Sequence, residues 1–242
     1  GSADEFRLLT DAVGGKGYRQ IDINLGCPFP MIAGKHKGAG MLLYPAQVAE
    51  VLAPIAEYPE IQFSLKMRLG WENASECMVL VELLNAIRLS RIALHARTGK
   101  QQYKGHPDLE AFQGFYELCQ HPLYYNGGIE SLSDIRQILI RFPLLKGVFI
   151  GRGLLSSPLL AKEFKGNETF LPEQRMSIYF AFHEELFSAY SQVLQGETQL
   201  LVKMKTLWEY FLPETDRKLL KRIKKSTRLQ QYTESVKAIF TS

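Results

Sequence analysis

The chain of 242 residues is 46% hydrophobic and 22% charged, with a formal net charge of +4. These are the proportions of an ordinary globular chain, long enough for one large domain or two smaller ones. No apolar run approaches the roughly 20 residues that span a bilayer, and the polar segment Ala3 to Arg7 is unlike a secretory signal. Three cysteines (Cys27, Cys77, Cys119) without a C-x-x-C pair argue against a disulfide scaffold or a zinc site, and free thiols set the expectation of a cytoplasmic location.

Ser2 and Glu5 form a capping box for a first helix, on which Phe6, Leu9 and Val13 share a face, and Gly14-Gly15 ends it. Ile21-Asp22-Ile23-Asn24-Leu25 alternates as a strand and stops at Gly26. Cys27 follows at the strand's carboxyl end. Pro28 then fixes a turn, and a basic, glycine-spaced loop comes next, Gly34-Lys35-His36-Lys37-Gly38-Ala39-Gly40. Pro45 to Tyr58 reads as a helix that Pro54 should bend or shorten. Ile61 to Leu69 alternates strictly, with Gln62, Ser64, Lys66 and Arg68 on its polar face. Asn73 and Glu76 open a helix running to about Arg88. A third strand, Arg91 to Thr98, puts His95 and Arg97 on one face at its end. A helix around Leu109 to Leu118 leads to the strand Leu123 to Asn126 and then Gly127-Gly128. Ser131 and Asp134 start another helix, and Gly147 to Ile150 is the last strand, followed by Gly151-Arg152-Gly153.

Strand and helix thus alternate five times, with the informative polar residues at the strands' carboxyl ends. That is the pattern of a parallel α/β protein and specifically of a TIM-type (β/α) barrel, in which Lys66 and Arg68 point inward near the mouth. Asn126-Gly127-Gly128 and Gly151-Arg152-Gly153 each precede a helix. Glycines there let backbone N–H groups approach an anion, and helix amino termini favour negative charge. Two such turns on successive strands, with Arg152 added, predict a phosphate site; two ordinary turns are the plainer alternative. The further glycine of a dinucleotide-binding fingerprint is missing.

Composition changes after Phe164, and from Pro172 onward apolar residues recur only at helical spacing. The expected division is a partial barrel over 1–166 and an all-helical domain over 167–242. From Lys203 to Arg228 nine Lys or Arg stand against three acids. A solvated helix face and a phosphate-backbone contact surface are both open on charge alone.

Taken together, Asp22-Ile23-Asn24-Leu25-Gly26-Cys27-Pro28, Gly38-Ala39-Gly40, Lys66-Met67-Arg68, His95-Ala96-Arg97-Thr98, Asn126-Gly127-Gly128 and Gly151-Arg152 resemble the tRNA-dihydrouridine synthases, from about Phe6 to the end of the chain. The resemblance implies an FMN-dependent barrel with a helical domain that grips tRNA. It makes Cys27 the proton donor. Lys66, His95, Asn126, Gly127, Gly128, Gly151 and Arg152 fall on FMN-binding positions, and Asn24, Arg68 and Arg97 fall near the target uracil. Lys35, Lys37, Lys203, Arg217, Lys221 and Lys224 are the expected contacts to RNA backbone, and NADPH is the expected external reductant.

The chemistry suits these residue types. Reducing a uracil C5=C6 bond takes a hydride at one carbon and a proton at the other. A flavin supplies the hydride, and a thiol, ordinarily titrating at about 8.5, is protonated at neutral pH yet able to release its proton.

A complete barrel has eight strands, and five are legible. The family's first three βα units have no counterpart, so the expectation is an incomplete barrel with open strand edges near 21–24 and 147–150, prone to self-association. Two other functions stay open at this point. One is a different FMN-dependent barrel oxidoreductase acting on a small molecule. The other is an inactive fragment that only binds RNA.

Overall fold

The structure, a computed structural model, describes Gly1 to Thr241. The chain divides into two compact units. The first comprises Gly1–Ile129 with Ser133–Ile150, and the second Glu130–Leu132 with the chain from Gly151 onward.

Five strands build the first unit: β1 (Gln20–Leu25), β2 (Gln62–Gly70), β3 (Arg91–Thr98), β4 (Leu123–Asn126) and β5 (Gly147–Phe149). They form one parallel sheet in sequential order, and the helices α1 (Ala3–Gly15), α2 (Pro30–Ala33), α3 (Pro45–Leu52), α4 (Glu76–Asn85), α5 (Leu109–Leu118) and α6 (Leu132–Arg141) fall between them in sequence. A parallel α/β architecture is therefore observed. The sheet does not close, because β1 pairs only with β2 and β5 only with β4.

Period-two alternation decides which face is dry. Leu65, Met67, Leu69, Ile92, Leu94 and Tyr125 are buried, and so are Val48, Leu52, Leu80, Leu84, Phe112 and Phe115 on α3, α4 and α5. Phe112 meets both Tyr125 and Phe142 edge-on at 4.9 Å between ring centres. The opposite face carries the polar set: Asp22 on β1, with Ser64 donating to its Oδ1 at 2.5 Å from β2, and Lys66 and Arg68 further along β2.

Local signals operate as the sequence suggests. The Ser2 hydroxyl accepts from the Glu5 N–H. Pro54, which has no N–H to continue a helix, stands where α3 gives way to a 3-10 segment, Ala53–Glu57. The segment after β1, read as an irregular loop, is more ordered than expected. It holds α2 and a 3-10 turn, Gly38–Leu43, whose Ala39 N–H donates to the Cys27 carbonyl.

The second unit is all helix: α7 (Arg152–Ser156), α8 (Leu160–Gly166), α9 (Pro172–Val193), α10 (Gly196–Leu207), α11 (Arg217–Lys225) and α12 (Leu229–Phe240). Tyr179, Met204, Trp208, Phe211, Ile223, Tyr232 and Val236 make its core. A polar chain runs through that core. Trp208 Nε1 donates to the Tyr232 hydroxyl at 2.9 Å, and that hydroxyl lies 2.7 Å from His183 Nε2. Since the indole only donates, the hydroxyl is free to donate to Nε2. The imidazole proton then sits on Nδ1, facing Glu184 Oε1 at 3.0 Å.

Burial holds the His183 pKa below its ordinary value, against the opposing pull of Glu184. The unfolded chain therefore takes up a proton before the folded one does. The stability that the neutral ring contributes is intact above about pH 6.5, the unfolded value, and is lost as pH falls through the depressed folded pKa. The thermal midpoint reported by Trp208 fluorescence should drop between pH 7 and pH 5, and His183→Gln should flatten that drop. An unchanged pH dependence in the variant would contradict the assignment.

Candidate active site

The candidate site lies where β1 to β4 end. Parallel register sets Arg68 beside His95 and His95 beside Asn126, so one row of polar residues crosses three strands. Asn24 and Lys66 are paired on β1 and β2, one layer nearer the strands' amino ends.

Arg68 is the best-tied residue of the group. Its side chain is 1% exposed. Nε donates to the Gly26 carbonyl at 3.0 Å, and NH1 donates to the carbonyls of Thr98 and Gln102, both at 2.8 Å. One guanidinium thus joins the turn after β1 to the loop after β3. Burial pulls its pKa down, and Tyr103 pulls the other way, with the Arg68 guanidinium 5.5 Å from the Tyr103 ring centre.

Cys27 follows the turn that Arg68 holds. Asn24 Oδ1 accepts from the Gly26 N–H at 2.9 Å and caps the strand end. The thiol is half-buried and close enough to Arg68 to act on it electrostatically. Gly38 packs against it with a φ of +55°, and a Cβ there would come within 2.8 Å of the Cys27 carbonyl oxygen. Only glycine combines that backbone with that clearance. The other thiols differ. Burial pushes Cys77 up to about 12 and raises Cys119 as well, which leaves both as packing groups.

His95 and Arg97 are each 5% exposed. Arg97 NH1 lies 3.3 Å from His95 Nε2, and NH2 donates to the Gly105 carbonyl at 2.9 Å. A guanidinium only donates, so Nε2 accepts and a neutral His95 carries its proton on Nδ1. A Cβ on Gly127, whose φ is +135°, would lie 3.2 Å from His95 Cδ2. Asn126 Nδ2 donates to the Phe149 carbonyl at 2.8 Å and ties β4 to β5.

Lys66 is partly buried, and among the described residues its ammonium makes no hydrogen bond or ion pair. Burial lowers its pKa first, repulsion from Arg68 adds to this, and Asp22 opposes it. Cys27, Arg68, His95, Arg97 and Gly127 are thus brought together, with Asn24 and Lys66 on the same sheet. Gly128 follows Gly127, whereas Gly151 and Arg152 stand at the start of α7, in the second unit. Of the expected RNA contacts, Lys37 is held by both carboxylate oxygens of Glu5, while Lys35 is exposed. Lys203 lies over the Tyr190 ring, and Arg217, Lys221 and Lys224 line α11.

The dihydrouridine synthase (Dus) family model matches residues 9–241. The chain belongs to the dihydrouridine synthase family.

Several relatives can be named. A probable tRNA-dihydrouridine synthase of Rhizobium leguminosarum bv. phaseoli is 32% identical over 139 residues, which cover 57% of this chain and 44% of that protein. Another from Aquifex aeolicus is 36% identical over 149 residues, covering 60% and 46%. The tRNA-dihydrouridine synthase B of Vibrio vulnificus is 27% identical over 161 residues, covering 65% and 50%. The chain spans about half the length of these curated relatives. Among solved structures, morphinone reductase in complex with tetrahydroNAD superimposes with a TM-score of 0.46 at 13% identity, covering 72% of this chain and 51% of that one.

One residue near the site has no signal in the sequence motifs. Tyr103 lies in the loop after β3, near Arg68 and 6.2 Å from the His95 ring centre, yet it is 54% exposed. An aromatic between polar loop residues was the available signal.

Removing Arg68 should loosen both loops at once. Arg68→Ala leaves three carbonyls without their charged donor, and unfolding in urea should show a loss on the order of 3 kcal/mol. Hydrogen exchange should quicken at residues 26–28 and 98–106. A loss below about 1 kcal/mol, within the range of ordinary surface substitutions, would contradict the clamp.

Proposed function

We propose that this chain works in the synthesis of dihydrouridine in tRNA, by flavin-dependent reduction of the uracil C5=C6 bond with Cys27 as the proton donor. The observation that carries the reading is the setting of Cys27. It is a half-buried thiol at a strand's carboxyl end, beside a fixed guanidinium, in a chain of the dihydrouridine synthase family.

The donor set suits FMN. The ring of that cofactor presents carbonyl oxygens and ring nitrogens, and its tail ends in a phosphate. Lys66 offers an unclaimed cation for the ring, and an anionic ring beside it would relieve the repulsion from Arg68. His95 and Asn126 add polar contacts on the same row. In the first unit Gly127 and Gly128 offer backbone N–H groups that suit a phosphate; Gly151 and Arg152 are the positions of the second unit that the resemblance assigns to the same cofactor. When bound and reduced, the flavin supplies the hydride.

The chain's own residues do the rest. Asn24 and Arg97 orient the uracil, and Arg68 fixes the turn that presents the thiol. Cys27 Sγ gives its proton to the second carbon of the double bond and is left as a thiolate, which solvent reprotonates. NADPH is the external reductant that renews the flavin.

For tRNA as partner, the support is α11. Six of its residues are Lys or Arg, none is acidic, and Asp216 caps it from outside. A uridine must leave its stack to react, at a cost of a few kcal/mol. Contacts of Lys203, Arg217, Lys221, Lys224, Lys35 and Lys37 with the RNA backbone offset that cost.

The test combines this chain with FMN, NADPH and unmodified tRNA and measures dihydrouridine. General acids contribute about 10²–10⁴-fold, so Cys27→Ala should slow formation about a hundredfold or more while tRNA affinity stays unchanged. An undiminished rate would remove Cys27 from the mechanism. Tight tRNA binding with neither bound flavin nor product would favour a chain that only binds RNA.

A further inference from the structure

We propose that His36 and Tyr44 form a stacking platform for an unpaired nucleobase, on the loop that follows Cys27. The inference rests on the reading that this chain handles tRNA, and it names a contact which that reading leaves unassigned.

The two rings lie 4.3 Å apart between centres and 25° from parallel. His36 Nε2 and the Tyr44 hydroxyl are 3.3 Å apart, which fixes one ring against the other. Both side chains are exposed, so the pair is accessible to a partner from solvent. An exposed aromatic pair does little for the core.

The backbone beneath the pair is unusual. His36 has a φ of +53°, a conformation few residues other than glycine adopt. It is held there from several sides. The His36 N–H donates to the Ala33 carbonyl, and Lys37 is bound by Glu5 of α1. Three residues on, the Ala39 N–H donates to the Cys27 carbonyl. The platform is therefore preorganised, and its anchor is the residue that presents the thiol.

The surroundings select a nucleotide. Every base has a flat π-face that stacks on aromatic side chains without regard to sequence, and its phosphates seek cations. Lys35 adjoins His36 and is exposed, and among the described residues its ammonium makes no hydrogen bond or ion pair. A base on the rings and a phosphate at Lys35 would seat one nucleotide of a single-stranded stretch.

The experiment uses this chain with a short single-stranded oligouridylate carrying one 2-aminopurine, and separately with tRNA. Stacking should quench the 2-aminopurine fluorescence. His36→Asn removes the ring while tolerating a positive φ, so the loop keeps its path. It should weaken oligonucleotide binding about five- to a hundredfold, the range of base–aromatic stacking, and abolish the quench, with the salt dependence unchanged. Tyr44→Leu should do the same, and Tyr44→Phe, which keeps the ring, should bind as the parent does. Lys35→Ala should instead lower the salt slope by about one.

Parent-like affinity and quench in both His36→Asn and Tyr44→Leu would overturn the platform, even with tRNA still bound. Platform-dependent quenching of the oligonucleotide without any tRNA binding would uphold the platform and sink the tRNA reading. Binding of neither RNA would overturn both.

Discussion

A single buried guanidinium organises the strand-end face. Arg68 reaches from the middle strands to the Gly26 carbonyl on one side and the Thr98 and Gln102 carbonyls on the other. Burying a cation is costly unless its donors are satisfied. Here three carbonyls satisfy it, and the cost of leaving them unpaired holds two loops in place. The loop after β1 carries Cys27, and the loop after β3 carries Tyr103. The paths of both loops thus depend on one side chain that itself need not react.

Around that clamp the first unit is built asymmetrically. One face of the sheet is sealed by apolar contacts with helices, among them the Phe112, Tyr125 and Phe142 cluster. The other face keeps Asp22, Ser64, Lys66 and Arg68. Two cations, Lys66 and Arg68, act on one another there, and Asp22 only partly opposes this. Such an arrangement is disfavoured for folding alone and suits a place where an anion is bound. The second unit solves a different problem. Its core is aromatic, and its buried polar atoms are linked in series from Trp208 through Tyr232 to His183, which fixes their geometry and leaves the cations of α11 on the surface.

Much of this was legible in the sequence. Strict alternation over Ile61–Leu69 located β2, because the period of two is set by backbone geometry. Leu109–Leu118 is bounded as expected, since Asp108 caps it through the Ala111 N–H. The place of Cys27, just past the carboxyl end of a strand, was legible, since β1 ends at Leu25. What the sequence hid was tertiary. The carbonyls that claim Arg68 lie 30 or more residues away along the chain, and backbone acceptors leave no mark on residue types. The order in the segment after β1 was hidden for a related reason. Its glycines suggested an open loop, but Gly38 is there because the chain passes close to Cys27.

The most direct measurement of the central claim is the alkylation of the three cysteines, resolved by mass spectrometry, with and without tRNA in the presence of FMN. Cys77 is fully buried and Cys119 is held up by burial, so Cys27 should react first. If the proposed function holds, saturating tRNA should then protect Cys27, the reacting uridine covering its sulfur. Labelling of Cys27 at the same rate with tRNA bound would show that the substrate does not reach the thiol, and would contradict the account.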